Sequence, residues 1–316
     1  MAVEAVIFQQ IVDINWDQAI YTASPNNTVN VAQFAAKGSG ANIGVALSPK
    51  GTGYISAQVP DGTTVGGNAR GANSVDLQST SRGLATQVAS GASSVAMGSR
   101  NTASGQYAVG IGFANTASAI GAIALGEGCI ASGQYSVAEG FGCTASGDSA
   151  VALGVSSQAT GIAAHATGSR AISHLTYMRA HGGFGLSVVG GSQEIALVLA
   201  GKTTTNAEVI LEMFSGLSPV LKAGSVWSLM LHIVGSKSDG SAVARYHRQV
   251  TIKRVVNTTS LVGSAVAIGT DEAAGTSLSI TADDANDRLS VGVTGITGET
   301  WRWVAVCHGV EMLIGA

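Results

Sequence analysis

The sequence predicts an all-β protein: a parallel β-roll flanked by a small N-terminal β module and a C-terminal β-sandwich or jelly roll. Three observations predict it. Glycine is abundant, 43 of 316 residues against four prolines, while the apolar fraction is an ordinary 46% and charged residues make up only 11%. A disordered chain needs the opposite balance, with low hydrophobicity and high charge. The middle third repeats every 14 residues, too short for a helix plus a strand with loops. Within each repeat large and small residues alternate with period two, the signature of an extended strand. Glycine does not fall at every third position, which excludes collagen.

The first element, residues 1–64, reads as irregular β structure. Asn30-Val-Ala-Gln-Phe34, Ile43-Gly-Val-Ala-Leu47 and Gly53-Tyr-Ile-Ser-Ala-Gln-Val59 are short runs bounded by Gly, Pro and Asn. Such a module either attaches the chain to something else or caps the first coil of the roll. Glu4 stands where a signal peptide would carry Lys or Arg, and no run of about 18 apolar residues is present to span a membrane as a helix.

The second element, residues 65–175, holds the repeat. Six blocks begin at Val88, Thr102, Thr116, Ile130, Thr144 and Gln158. Glycine recurs at Gly98, Gly112, Gly126, Gly140, Gly154 and Gly168, and a second set is broken only by Ala119. Between them stand Val95, Val109, Ile123, Val137, Val151 and His165, followed two residues later by Met97, Ile111, Leu125, Glu139, Leu153 and Thr167. The intervening positions are Ala, Ser or Gly. One coil per block satisfies this pattern, with the small residues filling a thin interior. The stripe of Val, Ile, Leu and Met is then left outside, where it asks for neighbouring chains. A partial block, Gly71 to Gln78, precedes the repeat six residues out of frame, so the roll is expected to open with a bulged coil.

Ser94-Val-Ala-Met-Gly98, Ala122-Ile-Ala-Leu-Gly126 and Ala150-Val-Ala-Leu-Gly154, each after an Ala-Ser-Gly-like turn, resemble the head repeats of trimeric autotransporter adhesins of the YadA type. The resemblance covers about 84 of 316 residues and implies a left-handed parallel β-roll with three chains side by side. On that reading Val95, Met97, Val109, Ile111, Ile123, Leu125, Val137, Glu139, Val151 and Leu153 form the trimer interface. Three copies of Glu139 facing one another would raise their carboxyl pKa values or recruit a cation. No heptad stalk or barrel-forming C-terminal strands of an autotransporter are visible. The segments Asn30 to Gly40, Val45 to Gly53 and Asn68 to Gln78 resemble bacteriophage tail-fibre proteins, which implies attachment to a phage tail or baseplate through the N-terminal module.

The third element, residues 176–316, is expected to be a β-sandwich. Trp227, Leu229, Leu231 and Ile233 share one face of a strand, Asp239-Gly240 signals a hairpin, and Ala244, Tyr246, Val250 and Ile252 share a face of the next strand. Further strand-like runs cover 276–282, 288–293 and 300–310, while Ala207 to Phe214 fits helix or strand alike. Tyr246, Arg248, Trp301, Arg302 and Trp303 are the candidate receptor-binding residues, because aromatic and Arg side chains dominate binding hot spots. The competing assignment for the tryptophans is the sandwich core.

Chemistry is sparse. The net charge is −3 and the longest basic run is Lys253-Arg254, so nucleic acid is not an expected partner. Cys129, Cys143 and Cys307 are an odd number without CxxC spacing, which suggests free thiols and assembly in a reducing host cytoplasm. The histidines stand isolated in sequence. Asp283, Asp284 and Asp287 lack the spacing and distal Glu of a calcium loop. Glycan cleavage would need a carboxylate pair, for which Glu194, Glu208, Glu212 and Asp239 are available, and Glu127, Glu139 and Asp148 in the roll. The expectation is therefore a homotrimeric virion fibre that binds a host-surface glycan or protein through its C-terminal domain, with no catalysis, cofactor, metal or membrane insertion. The alternatives are a structural connector carrying another adhesin, a bacterial adhesin fragment, or a glycan-cleaving tailspike.

Overall fold

The computed structural model describes residues 20–21, 31–32, 47–183, 190–214 and 216–313. The chain divides into two compact units, Met1–Gly51 and Thr52–Ala316. In the first, Ile20–Tyr21 pairs antiparallel with Val31–Ala32; most of the expected N-terminal module, including residues 43–46, lies outside the described residues. The second unit is all β, a roll whose main sheet runs on into a sandwich.

Each 14-residue block from Thr102 onward forms one coil with a two-residue strand and a five-residue strand, for example Thr102–Ala103 and Val109–Phe113; in the first block the short strand is a single bridge at Ala89. Successive coils pair parallel and in register, so that Val109 meets Ile123, which meets Val137, which meets Val151. The small alternate residues face inward: Ala96, Ala124, Ala138, Ala152 and Ala166 are fully buried, as are Ala108, Ala122, Ala150 and Ala164. Ser94 and Ser136 take the same inward station and are buried as well, so these positions are held by small side chains. The roll begins earlier than residue 65, because Ile55 pairs with Val75 and Val75 with Val95. These first two coils are 20 residues long rather than 14, which is the six-residue offset of the partial block.

The wider first coils hold a polar plug. Asp76 occupies the inward station that Ala96 takes in the next coil. Arg70 Nε lies 2.6 Å and Arg82 Nη2 3.7 Å from its carboxylate, with all three side chains buried, and both guanidiniums also reach backbone carbonyls of Gly66 and Val65. Along the roll a second interior ladder follows. Asn101, Asn115, Cys129, Cys143 and Ser157 occupy one station per coil and donate to the carbonyls of Gly112, Gly126, Gly140, Gly154 and Gly168. The thiols of Cys129 and Cys143 thus serve as hydrogen-bond donors in a buried interior, and burial pushes the Cys143 pKa up. Gly140 shows why glycine recurs beside this ladder: its φ is 122° and a Cβ there would lie 2.0 Å from the Gly154 oxygen.

The coil strand after the sixth block, Arg179–Gly182, lies past the boundary expected at residue 175 and pairs antiparallel with Ser192–Thr203. That strand pairs with Trp301–Leu313, which pairs with Ser225–Lys237, which pairs with Val243–Val255. One 15-stranded sheet therefore runs from the roll through the C-terminal region, and the third element is not a detached domain. Glu208–Ile210, Arg288–Thr294 and Ser277–Asp283 form a second, three-stranded sheet, which settles the 207–214 segment as a short strand. Ile195, Leu197, Leu199, Trp227, Leu229 and Leu231 pack with Leu211, Leu289, Val291 and Val293 in one buried cluster. Alternation along strands of up to 13 residues sends every second side chain into this core. Gln193 ties the two halves together: its amide exchanges hydrogen bonds with the N–H and carbonyl of Ile172, copying the backbone of a further coil, and it also donates to the buried Glu311 at 2.6 Å.

Candidate functional site

The ten residues expected at a trimer interface form two adjacent rows on the outer face of the main sheet. Val95, Val109, Ile123, Val137 and Val151 make one, and Met97, Ile111, Leu125, Glu139 and Leu153 the other. The first row is half-buried by its neighbours, while Met97 and Ile111 are 37% and 38% exposed. Glu139 is exposed between Leu125 and Leu153. Tyr107, Tyr135, Phe113 and Phe141 are exposed as well. They do not form continuous ladders, since Gly121 lies between the tyrosines, under the ring of Tyr135, and Glu127 pairs with both Phe113 and Phe141.

The five candidate receptor residues do not share a surface. Trp301, Trp303 and Tyr246 are buried, because odd positions of Trp301–Leu313 and even positions of the Tyr246 strand face the sandwich core. The two indoles stack at 5.8 Å. Trp303 donates to Thr203 at 3.1 Å, Trp301 to Glu299 at 2.9 Å, and the Tyr246 hydroxyl pairs with Thr276 at 2.7 Å. These three are core residues with satisfied polar ends, and their assignment to binding is corrected on that ground. Arg248 holds Asp271 through two hydrogen bonds of 2.6 Å, which keep the Asp271 carboxyl below its usual range. Arg302 points to the opposite, exposed face.

The acidic residues of the sandwich are engaged in local contacts. Asp283 pairs with Arg288 at 2.7 Å and accepts from Asn286, Asp287 pairs with Arg254 at 2.6 Å, and Asp284 accepts from the Thr259 amide. Glu208 accepts from Ser279, Glu212 from the Gly216 amide, and Asp239 closes its hairpin through Ser241 and Lys237. Among the described residues, no group of three His, Cys, Asp or Glu side chains is placed to hold a metal ion.

A different constellation appears where roll meets sandwich. His165, Thr167, Arg179, His181, Glu194 and His308 line a pocket of about 220 Å³ on the outer face of the main sheet. Glu194 stands opposite His181 in the pairing and Ala196 opposite His308. His308 Nε2 and Glu194 Oε1 are 2.7 Å apart, and His181 Nδ1 and Thr167 Oγ1 are 3.0 Å apart. The hydrogen bond with His308, then the charges of His308, His181 and Arg179, hold the Glu194 carboxyl below its usual range. Sequence reasoning named Glu194 among four carboxylates and treated the histidines as isolated. The readable signal was the swap at the sixth block, where His165 and Thr167 replace the Val and Leu of the stripe. Its pairing with residues 308 and 194 depends on a long-range strand order that no local pattern encodes.

The family model for the YadA head domain repeat matches residues 89–114, 103–128, 117–142 and 145–173. A search of curated proteins finds no match. Among solved structures, the chain is similar to the tailspike protein gp49 of Acinetobacter baumannii bacteriophage Fri1, a capsular polysaccharide depolymerase. The identity is 10% and the TM-score 0.26, over 81% of this chain and 44% of that one. It is also similar to the tailspike protein of Acinetobacter phage vB_ApiP_P1, at 9% identity and TM-score 0.24, over 78% and 49% of the two chains. The chain thus spans less than half the length of either tailspike. The expectation of a protein without enzymatic activity is corrected by this finding: one of these similar structures is a depolymerase, and glycan cleavage joins the activities to be assayed. Likeness at these scores transfers no catalytic residue. Residues 89–142 and 145–173, which match the YadA head domain repeat, wind into a parallel β-roll.

Proposed function

We propose that the chain is the shaft and tip segment of a homotrimeric phage tail fibre that engages host-surface glycan. One observation carries the reading. Two rows of side chains, large and apolar except for Glu139, run partly exposed along a roll of YadA head repeats, from Val95 and Met97 to Val151 and Leu153. Such a stripe is an aggregation liability unless other copies cover it, and a closed ring of three identical chains covers it without leaving an open end. The N-terminal unit then joins the phage tail or baseplate, and the sandwich end of the roll meets the cell. Three weak sites on one stiff rod gain avidity from being linked, without any new contact.

The test is an array of bacterial surface polysaccharides probed with the purified full chain, followed by an assay for released reducing ends on every polysaccharide that binds. Binding to at least one polysaccharide supports the reading, and reducing-end release would make the fibre a depolymerase. A trimeric protein that binds nothing on the array overturns the glycan assignment.

A further inference from the structure

The apolar stripe stops at one place, and polar side chains crowd there. After Val151 and Leu153 the same two stations are held by His165 and Thr167, and in the coil after that by Arg179 and His181. Three identical guanidiniums brought against one another at a threefold contact would repel, so the stripe ends as an interface at this coil. Beyond it the sheet contributes Glu194 and His308. All of these side chains point to the outer face, and His165, Arg179, His181, Glu194 and His308 are exposed.

The hydrogen bonding within the pocket is uneven. Among the described residues Glu194 is the only carboxylate in the lining, and it is already fixed by His308 at 2.7 Å. His181 is fixed by Thr167 at 3.0 Å. The Arg179 side chain has neither a hydrogen bond nor an ion pair among the described residues, although its charge is felt at Glu194. A planar fork of donors therefore stands free beside acceptors whose orientation is set. An arginine fork matches a carboxylate bidentately, while a held carboxylate and a hydroxyl suit the ring hydroxyls of a sugar. The volume of about 220 Å³ is below the roughly 300–1,000 Å³ of pockets that swallow a whole ligand, as expected for one residue of a chain running across the sheet.

We propose that this pocket binds the carboxylate-bearing sugar of an acidic polysaccharide, with Arg179 on the sugar carboxylate and Glu194 and Thr167 on its hydroxyls. The proposal rests on the glycan-binding reading above and names its site and substrate class. It also places the contact at the junction of roll and sandwich, on a face that the buried tryptophans never reach.

The experiment is calorimetric titration of the full-length protein with trigalacturonate, with its methyl ester, and with inorganic phosphate, repeated on the variant Arg179→Ala. Arg179 is exposed, so the variant should keep the solution mass and circular dichroism of the parent, and both are checked. We expect trigalacturonate to bind, and both the methyl ester and Arg179→Ala to weaken it about tenfold, the loss of one charge-assisted contact. Equal binding of acid and ester, or an unchanged Arg179→Ala, overturns the proposal. Phosphate binding as tight as trigalacturonate also overturns it, by showing a simple anion site. Neutral polysaccharides binding on the array while trigalacturonate does not would remove this site and leave the fibre reading standing. No binding to any glycan removes both.

Discussion

His174 is held neutral by where the chain puts it. Burial dominates, the nearby Lys222 adds a second positive charge, and only the Val220 carbonyl, 3.4 Å from Nε2, favours the proton; together they bring its pKa down to about 4. A histidine whose folded pKa lies below its unfolded value of 6.5 leaves the unfolded state binding more protons in the interval between them. Stability from this residue is therefore complete above about pH 6.5 and lost as pH falls towards 4. A shift of this size corresponds to about 3 kcal/mol. We expect the parent protein to lose melting temperature between pH 7 and pH 4 more steeply than His174→Gln, with the difference between the two proteins isolating this group from the carboxylates that titrate in the same range. Parallel slopes would show that His174 is free to take its proton. The opposite case is Cys307, a thiol pushed up to about 12 by burial alone, which stays protonated at any physiological pH. At this scale sequence reading was weakest. It offered Trp301, Trp303 and Tyr246 as binding candidates because their chemistry suits binding, with the sandwich core as the competing assignment for the tryptophans; strand parity sends all three into the core, and parity is fixed by the partner sheet.

At the scale of the coil, the fold rests on close backbone approach. Gly140 combines a φ of 122° with a neighbouring carbonyl 2.0 Å from any added Cβ, so both the conformation and the space exclude a side chain. Gly140→Ala should therefore cost at least ~2 kcal/mol, read as a drop in melting temperature, whereas Gly128→Ala, whose Cβ would meet nothing within 4 Å, should cost only the strain of its positive φ. Equal losses would mean that the coils are not stacked as closely as described. The roll was legible because each coil must repeat the same solution: a small residue inward, a large one outward, and a glycine where two backbones touch. The six-residue offset at Gly71 to Gln78 was legible too, and it corresponds to the two 20-residue coils ahead of Val95. What fills them was not, since Arg70, Asp76 and Arg82 form a buried ion cluster that looks in sequence like three ordinary surface charges. The hairpin at Asp239-Gly240 and the apolar faces of its two strands were set by local alternation and turn chemistry. The antiparallel join of Ser192–Thr203 to both Arg179–Gly182 and Trp301–Leu313 is non-local, and with it the pocket at Glu194 and His308.

For the whole molecule, a single sheet carries the apolar stripe along the roll and then presents the His and Arg cluster at its end. If three chains meet along the stripe, Leu125→Glu should break the assembly, because the new carboxylate would stand in register beside Glu139 and bring six acidic groups to one contact. We expect that variant to keep its β-rich circular dichroism and lose its oligomeric mass. The most direct measurement is the mass of the unmodified protein in solution by light scattering. The account predicts about three times the chain mass of 31.5 kDa, and a particle of 31.5 kDa at all concentrations would contradict it.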